Sequence, residues 1–226
     1  MVVALPDLTP ASQDYLKAVW TAQEWTDEPV TTSMLAERLG FSRSTVSEAV
    51  RRLTDQGLLV HAPYGSIALS DAGRAAAVAM VRRHRLIETF LVDYLGYGWD
   101  EVHDEAEVIE HAVSDTFVDR LAARLGDPQR DPHGDPIPRG DGTFPGLAAV
   151  RLDEAGTRRA LRVARVSDAE PDLLRHLAGL GVVLDAELTV VEHRAFAGVL
   201  AVELAGRAVD LGLPAARAIW VVEAAR

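Results

Sequence analysis

The chain has 226 residues, no cysteine and a formal net charge of -11 at pH 7. Without cysteine, a disulfide framework, thiolate metal sites and thiol catalysis are excluded, so any metal ion must be bound by nitrogen and oxygen ligands. The sequence has no uninterrupted apolar run of about 18 residues and no basic, apolar leader, so we expect a cytoplasmic protein that is not embedded in a membrane.

Negative charge is concentrated beyond residue 85. Residues 1–85 carry nine basic and nine acidic side chains, and residues 31–85 carry eight basic side chains against four acidic ones. Nucleic-acid binding depends on where basic residues cluster more than on the total charge. This distribution favours a DNA-binding segment joined to an acidic, cation-binding segment.

The first predicted helix runs from residue 11 to about residue 25. Thr9 and Pro10 mark its start, because a hydroxyl cap followed by proline is typical of a helix N-terminus. Asp14 lies one turn in, among residues that otherwise look like core. By itself it has an ordinary explanation, since aspartates near a helix start interact favourably with the helix dipole.

A helix-turn-helix motif is predicted next. One helix covers residues 33–39 and ends at Gly40, and a second helix, capped by Ser42, covers residues 43–56. The exposed face of the second helix carries short hydroxyls and guanidinium groups, which suit contacts with DNA bases and phosphates. The candidate DNA-binding residues are Ser42, Arg43, Ser44, Thr45, Ser47 and Arg51.

A β-hairpin follows, with apolar runs at residues 58–60 and 66–69 around a turn at residues 62–65. Two helices followed by a hairpin predict a winged helix, which commonly binds DNA. The alternative is a small winged module that is used only for protein contacts.

The next predicted helix, from residue 70 to about residue 94, contains His84 and Glu88 four positions apart and therefore on one face. A surface ion pair is the simple explanation of such a pair. The helix is amphipathic, however, and should pack against the one that follows, which would bring their polar residues together.

That following helix, expected over residues 102–118, places His103, Glu107, Glu110 and His111 on adjacent turns. Between residues 100 and 119 there are eight acidic side chains and no basic ones. A divalent cation would neutralise this charge, and imidazole with carboxylate at this spacing suits a mid-series divalent metal. The alternative is a solvated acidic helix with two incidental histidines.

The remaining chain predicts a third helix over residues 114–125, a coil rich in proline and glycine over 127–146, and a small β-barrel. We expect the helical segment to form a dimer through spare apolar surface at Phe90, Leu91, Leu95 and Phe117. The barrel strands are predicted at residues 187–192, 199–204, 207–211 and 218–222, beside a helix over 170–180. No catalytic constellation is visible, and we interpret His61, His133, His176 and His193 as structural or solvated.

Taken together, these motifs resemble the diphtheria-toxin-repressor family of metal-dependent transcriptional regulators, most closely its manganese-responsive branch. The resemblance rests on residues 42–47 of the winged helix, the runs 84–88 and 103–111, and the linker run 132–138. It implies a mainly α fold with a small β portion. The implied domains are a winged helix-turn-helix domain (1–72), a helical metal-binding and dimerisation domain (73–127), a linker (128–146) and an SH3-like β-barrel (147–226).

The resemblance also implies roles for particular residues. The primary, activating metal site would be Asp14, Glu107, Glu110 and His111. The ancillary site would be His84, Glu88 and His103, and either Asp168 or Glu170 occupies the region from which SH3-like domains of three-domain members donate further ligands.

Three positions depart from related branches. Iron-type members have methionine at the position of Asp14 and cysteine at that of Glu107, whereas this sequence has hard carboxylates, which favour manganese although Fe(II) accepts the same ligands. Two-domain manganese regulators place a glutamate where Lys17 stands. Separate primary and ancillary sites are therefore expected here instead of one binuclear site.

These observations predict a homodimeric, Mn(II)-activated repressor that binds a palindromic double-stranded DNA operator and about two metal ions per subunit. The alternatives are an Fe(II)-dependent regulator of the same fold, a binuclear metal hydrolase that uses the winged helix as an adaptor, and a metal-independent winged-helix protein with an acidic core. For the predicted function we expect no catalytic residues and no small organic substrate.

Overall fold

The structure, a computed structural model, describes residues 8–25, 28–61 and 65–224. It divides into two compact units, of which the first comprises the chain up to His84 together with Pro138–Thr143, and the second comprises Arg85–Ile137 and the chain from Phe144 onward. Among the described residues, no helix is long and apolar enough to cross a membrane.

The first unit contains a winged helix, as predicted. Its elements are α1 (Pro10–Glu24), α2 (Thr32–Leu39), α3 (Arg43–Asp55), β1 (Leu59–His61), β2 (Ile67–Leu69) and the first part of α4 (Asp71–Leu95). The Thr9 side chain accepts the backbone N–H of Ser12, which caps α1, and Gly40 ends α2 with a φ of 69° that favours glycine. The strands pair antiparallel with Leu59 opposite Leu69, and the predicted turn at residues 62–65 lies largely outside the described residues.

The core of this unit is formed where the apolar faces of the three short helices meet the hairpin. Its completely buried members include Leu16, Leu35, Val46, Leu53 and Ile67. Burial of a leucine or isoleucine side chain stabilises the fold by about 1.5–3 kcal/mol. This core fixes α3 with its polar face outward.

The second unit begins with the rest of α4 and continues through α5 (Val102–Glu110) and α6 (Asp115–Leu125). The expectation of one helix over residues 102–118 is wrong, because α5 ends at Glu110 and a new helix begins after Ser114. The Ser114 side chain accepts the backbone N–H of Phe117 at 3.2 Å and so caps α6. A capping serine competes with helix continuation at this position.

Part of the expected dimer surface is internal to this unit. Leu91 is buried and Phe90 packs against the same apolar cluster, whereas Leu95 and Phe117 are 58% and 44% exposed. Of the four apolar side chains assigned to the interface from sequence, Leu91 is therefore unavailable to a partner. The exposed pair remains available.

The C-terminal part of the second unit is a six-stranded antiparallel sheet in the order β3-β8-β4-β5-β6-β7. Its elements are β3 (Val150–Arg151), β4 (Ala160–Val166), α7 (Pro171–Leu180), β5 (Glu187–Arg194), β6 (Val199–Leu204), β7 (Arg207–Gly212), α8 (Leu213–Arg217) and β8 (Ile219–Glu223). Sequence patterning did not predict β4 or α8. In β4, arginines interrupt the alternation and the register shifts between Val163 and Arg165.

Candidate metal centre and DNA-binding face

The six candidate DNA-binding residues all lie on the exposed side of α3 and its N-terminus. Ser42 has a local task, because its Oγ accepts the backbone N–H of Thr45 at 3.2 Å and forms 2.8 Å hydrogen bonds with the hydroxyls of Ser44 and Thr45. It is the N-cap of α3. The arrangement presents hydroxyls and guanidiniums to solvent on a rigid helix, which is the geometry that a recognition helix requires.

Three of the four predicted primary ligands are brought together at the end of α5. One potential ligand atom from each of Glu107, Glu110 and His111 lies within 4.8 Å of the others. Glu110 is completely buried, and its Oε1 is 3.6 Å from Nε2 of His111, which occupies the C-cap of α5. Two carboxylates and an imidazole on adjacent turns form a partial ligand set for a divalent cation.

The fourth predicted primary ligand, Asp14, belongs to the first unit. It is half-buried and is the fifth residue of α1, beyond the first turn, and the cap of that helix is supplied by Thr9. The ordinary explanation of Asp14 as a residue at the helix start therefore has no support. Its role as a metal ligand stays a prediction.

Two of the predicted ancillary residues, together with Asp168, meet within the second unit. Nδ1 of His103 on α5 is 3.4 Å from Oε1 of Glu88 on α4 and 3.6 Å from Oδ2 of Asp168, which follows β4. Burial raises the pKa of Asp168, but the neighbouring His133 and His103 outweigh it and hold this pKa below its ordinary value. The carboxylate therefore stays ionised, as a metal ligand must be.

Glu170, the other tentative ancillary residue, is exposed at the N-cap of α7. Among the described residues it does not join any group of potential ligand atoms. Its assignment stays a prediction, and the geometry favours Asp168 of the two.

His84, the third predicted ancillary ligand, lies in the first unit, one helical turn before Glu88 on α4. Its Nδ1 is 3.5 Å from Nζ of Lys17, and both side chains are buried. The ammonium group of Lys17 disfavours a second cation at the position of the Lys17 side chain itself by charge repulsion. This geometry agrees with the expectation of separate sites instead of a binuclear site at Lys17.

Sequence reasoning missed a buried polar cluster in the second unit. The coil between α6 and the sheet is ordered, and it inserts three side chains, Asp131, His133 and Asp135, that are 5% exposed or less. His133 is completely buried, so of the two alternatives, structural or solvated, only the structural one fits this histidine, whereas His176 and His193 are exposed. The motif of aspartate, histidine and aspartate within a coil was the available signal.

Two arginines compensate part of this buried charge. Arg165 on β4 donates from Nε to Oδ1 of Asp135 at 2.6 Å, and Arg85 on α4 lies 3.4 Å from Asp135 and 3.6 Å from Asp131. Burial, with the nearby carboxylates of Asp135 and Glu88, raises the pKa of Asp131 to about 7. Burial and the neighbouring carboxylates therefore disfavour the ionised form of Asp131.

All the donor atoms described above are carboxylate oxygens and imidazole nitrogens. Such a set fits Mn(II), Fe(II) and Zn(II). It offers no thiolate that would select a softer ion.

Comparison with protein families matches most of the chain to three domain models. Residues 7–67 match the model of the iron dependent repressor N-terminal DNA binding domain, residues 70–139 match that of the iron dependent repressor metal binding and dimerisation domain, and residues 150–223 match the FeoA domain. The predicted fold of a winged helix-turn-helix, a helical dimerisation domain and an SH3-like domain is thereby confirmed.

Individual relatives are similar over most of the chain. The iron-dependent repressor IdeR of Mycobacterium tuberculosis H37Rv is 37% identical over 196 residues, which cover 81% of this chain and 85% of the relative. A solved structure described as a manganese-dependent transcriptional repressor in complex with manganese is 56% identical, with a TM-score of 0.91, and covers 94% of this chain and 100% of its own. The structure of the manganese regulator SloR is 33% identical, with a TM-score of 0.82 and coverages of 96% and 100%.

Proposed function

The chain belongs to the diphtheria-toxin-repressor family of metal-dependent, DNA-binding transcriptional regulators, and from this premise we propose that it is a manganese-activated repressor of metal-homeostasis genes. Members of this family are repressors and not enzymes, so the binuclear hydrolase is no longer a candidate. Since a repressor acts where the chromosome is, we propose a cytoplasmic location.

The observation that carries the proposal is the convergence of Glu107, Glu110 and His111 at the end of α5. Manganese is favoured because the donors are hard and because a relative that is 56% identical is described as manganese-dependent. Fe(II) is the second candidate, since relatives that are 37% identical are named iron-dependent repressors. We propose about two ions per subunit, one at the primary and one at the ancillary site.

We propose that Asp14 completes the primary site and thereby couples metal binding to the DNA-binding domain. A divalent cation supplies the positive charge that offsets the clustered carboxylates. Without it, Asp14 is repelled by Glu107 and Glu110, and the winged helix is not held in one arrangement. When the metal ion joins Asp14 to α5, it stabilises the arrangement in which the two α3 helices of a dimer are separated by the spacing of the operator half-sites. Metal binding is thereby coupled to DNA binding by a population shift.

The other assignments follow from the same premise. We propose that the ancillary site is formed by His84, Glu88 and His103 with Asp168, that the operator is palindromic because the dimer has two-fold symmetry, and that the domains divide near residues 72, 127 and 146. The candidate residues at the N-terminus and on the exposed face of α3 contact the operator.

A DNA-binding titration tests the proposal. The full chain is titrated onto the promoter DNA of its neighbouring genes at one fixed salt concentration, with no metal, Mn(II), anaerobic Fe(II) and Zn(II) in parallel. We expect specific binding with Mn(II) and only weak, non-specific binding without metal. Stronger activation by Fe(II) than by Mn(II) would select the iron-dependent alternative.

Equal binding under all four conditions would contradict metal activation altogether. The protein would then be a metal-independent winged-helix regulator whose acidic clusters are structural. An unrelated promoter of the same length is the control for non-specific binding.

A further inference from the structure

The buried coil between α6 and the sheet holds His133 in a defined orientation. Oδ1 of Asp131 accepts the backbone N–H groups of His133 at 2.8 Å and Asp135 at 2.9 Å, and the backbone N–H of Val166 donates to the carbonyl of His133 at 2.9 Å. Gly134 has a φ of 93°, and a Cβ there would lie 2.1 Å from the carbonyl oxygen of Ala164. The backbone is therefore fixed against β4, and the imidazole is fixed with it.

The His133 ring has one nitrogen satisfied and one aimed at carboxylates. Nε2 lies 2.6 Å from the carbonyl oxygen of Trp99, and since a carbonyl only accepts, Nε2 carries the proton. Nδ1 is buried, makes no hydrogen bond to any residue that the structure describes, and lies 3.9 Å from Oε2 of Glu88. An imidazole that donates Nε2–H to a backbone carbonyl and directs Nδ1 at carboxylates has the orientation of a metal-binding histidine, and a proton on Nδ1 is released when a metal ion binds there.

Glu88 presents its two carboxylate oxygens to different histidines. Oε1 faces Nδ1 of His103 at 3.4 Å, whereas Oε2 faces Nδ1 of His133 at 3.9 Å. A carboxylate in this position can bind one cation through each oxygen. The two histidines do not belong to one group of potential ligand atoms among the described residues.

The spacing of the second group suits one ion. Potential ligand atoms of Glu88, Asp131 and His133 lie within 4.8 Å of one another, and all three side chains are buried. Nitrogen and oxygen ligands about 2.1 Å from one ion lie at most about 4.2 Å apart. Side-chain rotations that bring these ligand atoms less than about 1 Å closer together would allow all three to bind one ion.

The charge balance points the same way. Asp135 is paired with Arg165 at 2.6 Å and with Arg85 at 3.4 Å, whereas Arg85 approaches Asp131 at the longer distance of 3.6 Å. Asp131 is therefore the carboxylate of this coil that the arginines compensate least, and it belongs to the same group of potential ligand residues as His133.

We propose that Glu88, Asp131 and His133 form a further binding site for a divalent first-row metal ion such as Mn(II), bridged through Glu88 to the ancillary position. This third site goes beyond the proposed function, because it uses residues of the second unit alone and requires no DNA. Its bridging character rests on the ancillary part of the proposed function. The metal content of the protein measures the site directly.

The first experiment counts metal ions. The full chain is dialysed to equilibrium against Mn(II), and the number of metal ions per chain is measured for the wild type, His133→Gln and His193→Gln. His193→Gln is the control, because it removes an exposed histidine whose Nε2 also contacts a backbone carbonyl, that of Ala155, at 3.2 Å. We expect three ions in the wild type and the control, and two in His133→Gln. Two ions in all three proteins would overturn the proposal, because the cluster would then hold only protons, and three in His133→Gln would place the third ion elsewhere.

A second variant guards against a folding defect in His133→Gln. Asp131→Asn keeps an oxygen that accepts the two backbone N–H groups but removes the charge, and we expect it also to bind two ions. Electron paramagnetic resonance of the Mn(II) protein gives an independent readout, with an exchange-coupled signal in the wild type and uncoupled six-line spectra in both variants. An uncoupled wild-type spectrum at three ions per chain would contradict the bridge.

These outcomes are separate from those of the proposed function. Failure of the repressor proposal appears as operator binding that is indifferent to Mn(II), whatever the metal count. Failure of the third site appears as a metal count of two, whatever the operator affinity.

Discussion

Two groups of acidic and imidazole side chains, one at the end of α5 and one around the coil residue His133, differ in how completely they are built. Glu107, Glu110 and His111 come from one short segment, and Glu107 and His111 are partly exposed. The buried cluster is assembled from α4, the coil and β4, with short hydrogen bonds to backbone and arginine. In the proposed function the first group takes a further ligand, Asp14, from the other unit, whereas the residues of the second group all belong to one unit.

This difference indicates which group can couple metal binding to a change in domain arrangement. If a metal site takes one ligand from another unit, the metal ion binds more tightly when that unit is in place, so metal binding there can select a domain arrangement. A site that is closed within one unit stabilises that unit and changes little when another unit moves. We therefore assign regulation to the α5 group and stability to the buried cluster.

The largest expected effect tests the structural half of this comparison. Arg165→Met removes the guanidinium that pairs with Asp135 at 2.6 Å, and both side chains are at most 7% exposed. Breaking a buried ion pair costs about 3–5 kcal/mol, and Arg85, at the longer distance of 3.4 Å, compensates only part of the charge left on Asp135. Urea unfolding of the metal-free protein measures the loss.

Arg159→Met is the matched control, because Arg159 pairs with Glu223 at 2.8 Å but both side chains are more than 60% exposed. Its cost should be below about 1 kcal/mol, as for other surface ion pairs. Equal losses in the two variants would show that the buried cluster has no special structural role.

The regulatory half is tested by Glu110→Gln, which keeps the size of a completely buried side chain and removes one anionic ligand. We expect operator affinity in saturating Mn(II) to fall by about 100-fold, towards the metal-free level, which lies in the upper range of allosteric coupling. The same change at Glu105, on the same helix but outside the ligand group, should leave affinity within about 2-fold. Undiminished Mn(II)-dependent binding by Glu110→Gln would remove the α5 group from the switch.

A smaller effect separates DNA contact from metal control. Arg51 is exposed on α3, and Arg51→Ala should weaken operator binding by about 10-fold. The slope of the logarithm of affinity against the logarithm of salt concentration should fall by about one, because a phosphate contact that releases one counterion is lost. The ratio of affinities with and without Mn(II) should not change. Fluorescence anisotropy over a range of salt concentrations measures both, and a changed ratio would mean that Arg51 takes part in the metal response.

The smallest effect concerns pH and lies outside both groups. The hydrogen bond from Arg130, reinforced by Arg162, holds the pKa of Asp185 below its ordinary value. The stability from this contact is therefore present at neutral pH and is lost as pH falls through the lowered pKa. Because the contact is 44% exposed, Asp185→Asn should cost less than about 1 kcal/mol at pH 7. Urea unfolding at pH 7 and pH 3 checks this, and a difference from wild type that is as large at pH 3 as at pH 7 would contradict it.

Local signals explain what the sequence predicted correctly. Thr9 and Ser42 each cap a helix in the structure, as expected, and such caps act within one turn of chain. One error is also local: the helices expected over residues 102–118 and 114–125 overlap, and the structure separates them at the cap formed by Ser114. The spacing of Glu107, Glu110 and His111 likewise follows from helix geometry alone.

Long-range pairing explains what was missed. The coil at Asp131 was predicted as coil, but its burial depends on Arg85 and Arg165, and neither is near it in sequence. The strand β4 was not predicted because apolar and polar residues do not alternate regularly in it: arginines such as Arg165 and a bulge interrupt the pattern. Which polar residues become buried is decided by tertiary contacts, and a sequence pattern does not contain them.

The central claim is that metal and operator stabilise the same arrangement, and reciprocity tests it most directly. Mn(II) affinity of the full chain is measured by isothermal titration calorimetry with and without saturating operator DNA. Thermodynamic linkage requires operator DNA to tighten Mn(II) binding by the factor by which Mn(II) tightens operator binding, and we expect equal factors within about 3-fold in the wild type. Identical Mn(II) affinity in the presence and absence of the operator would contradict the account.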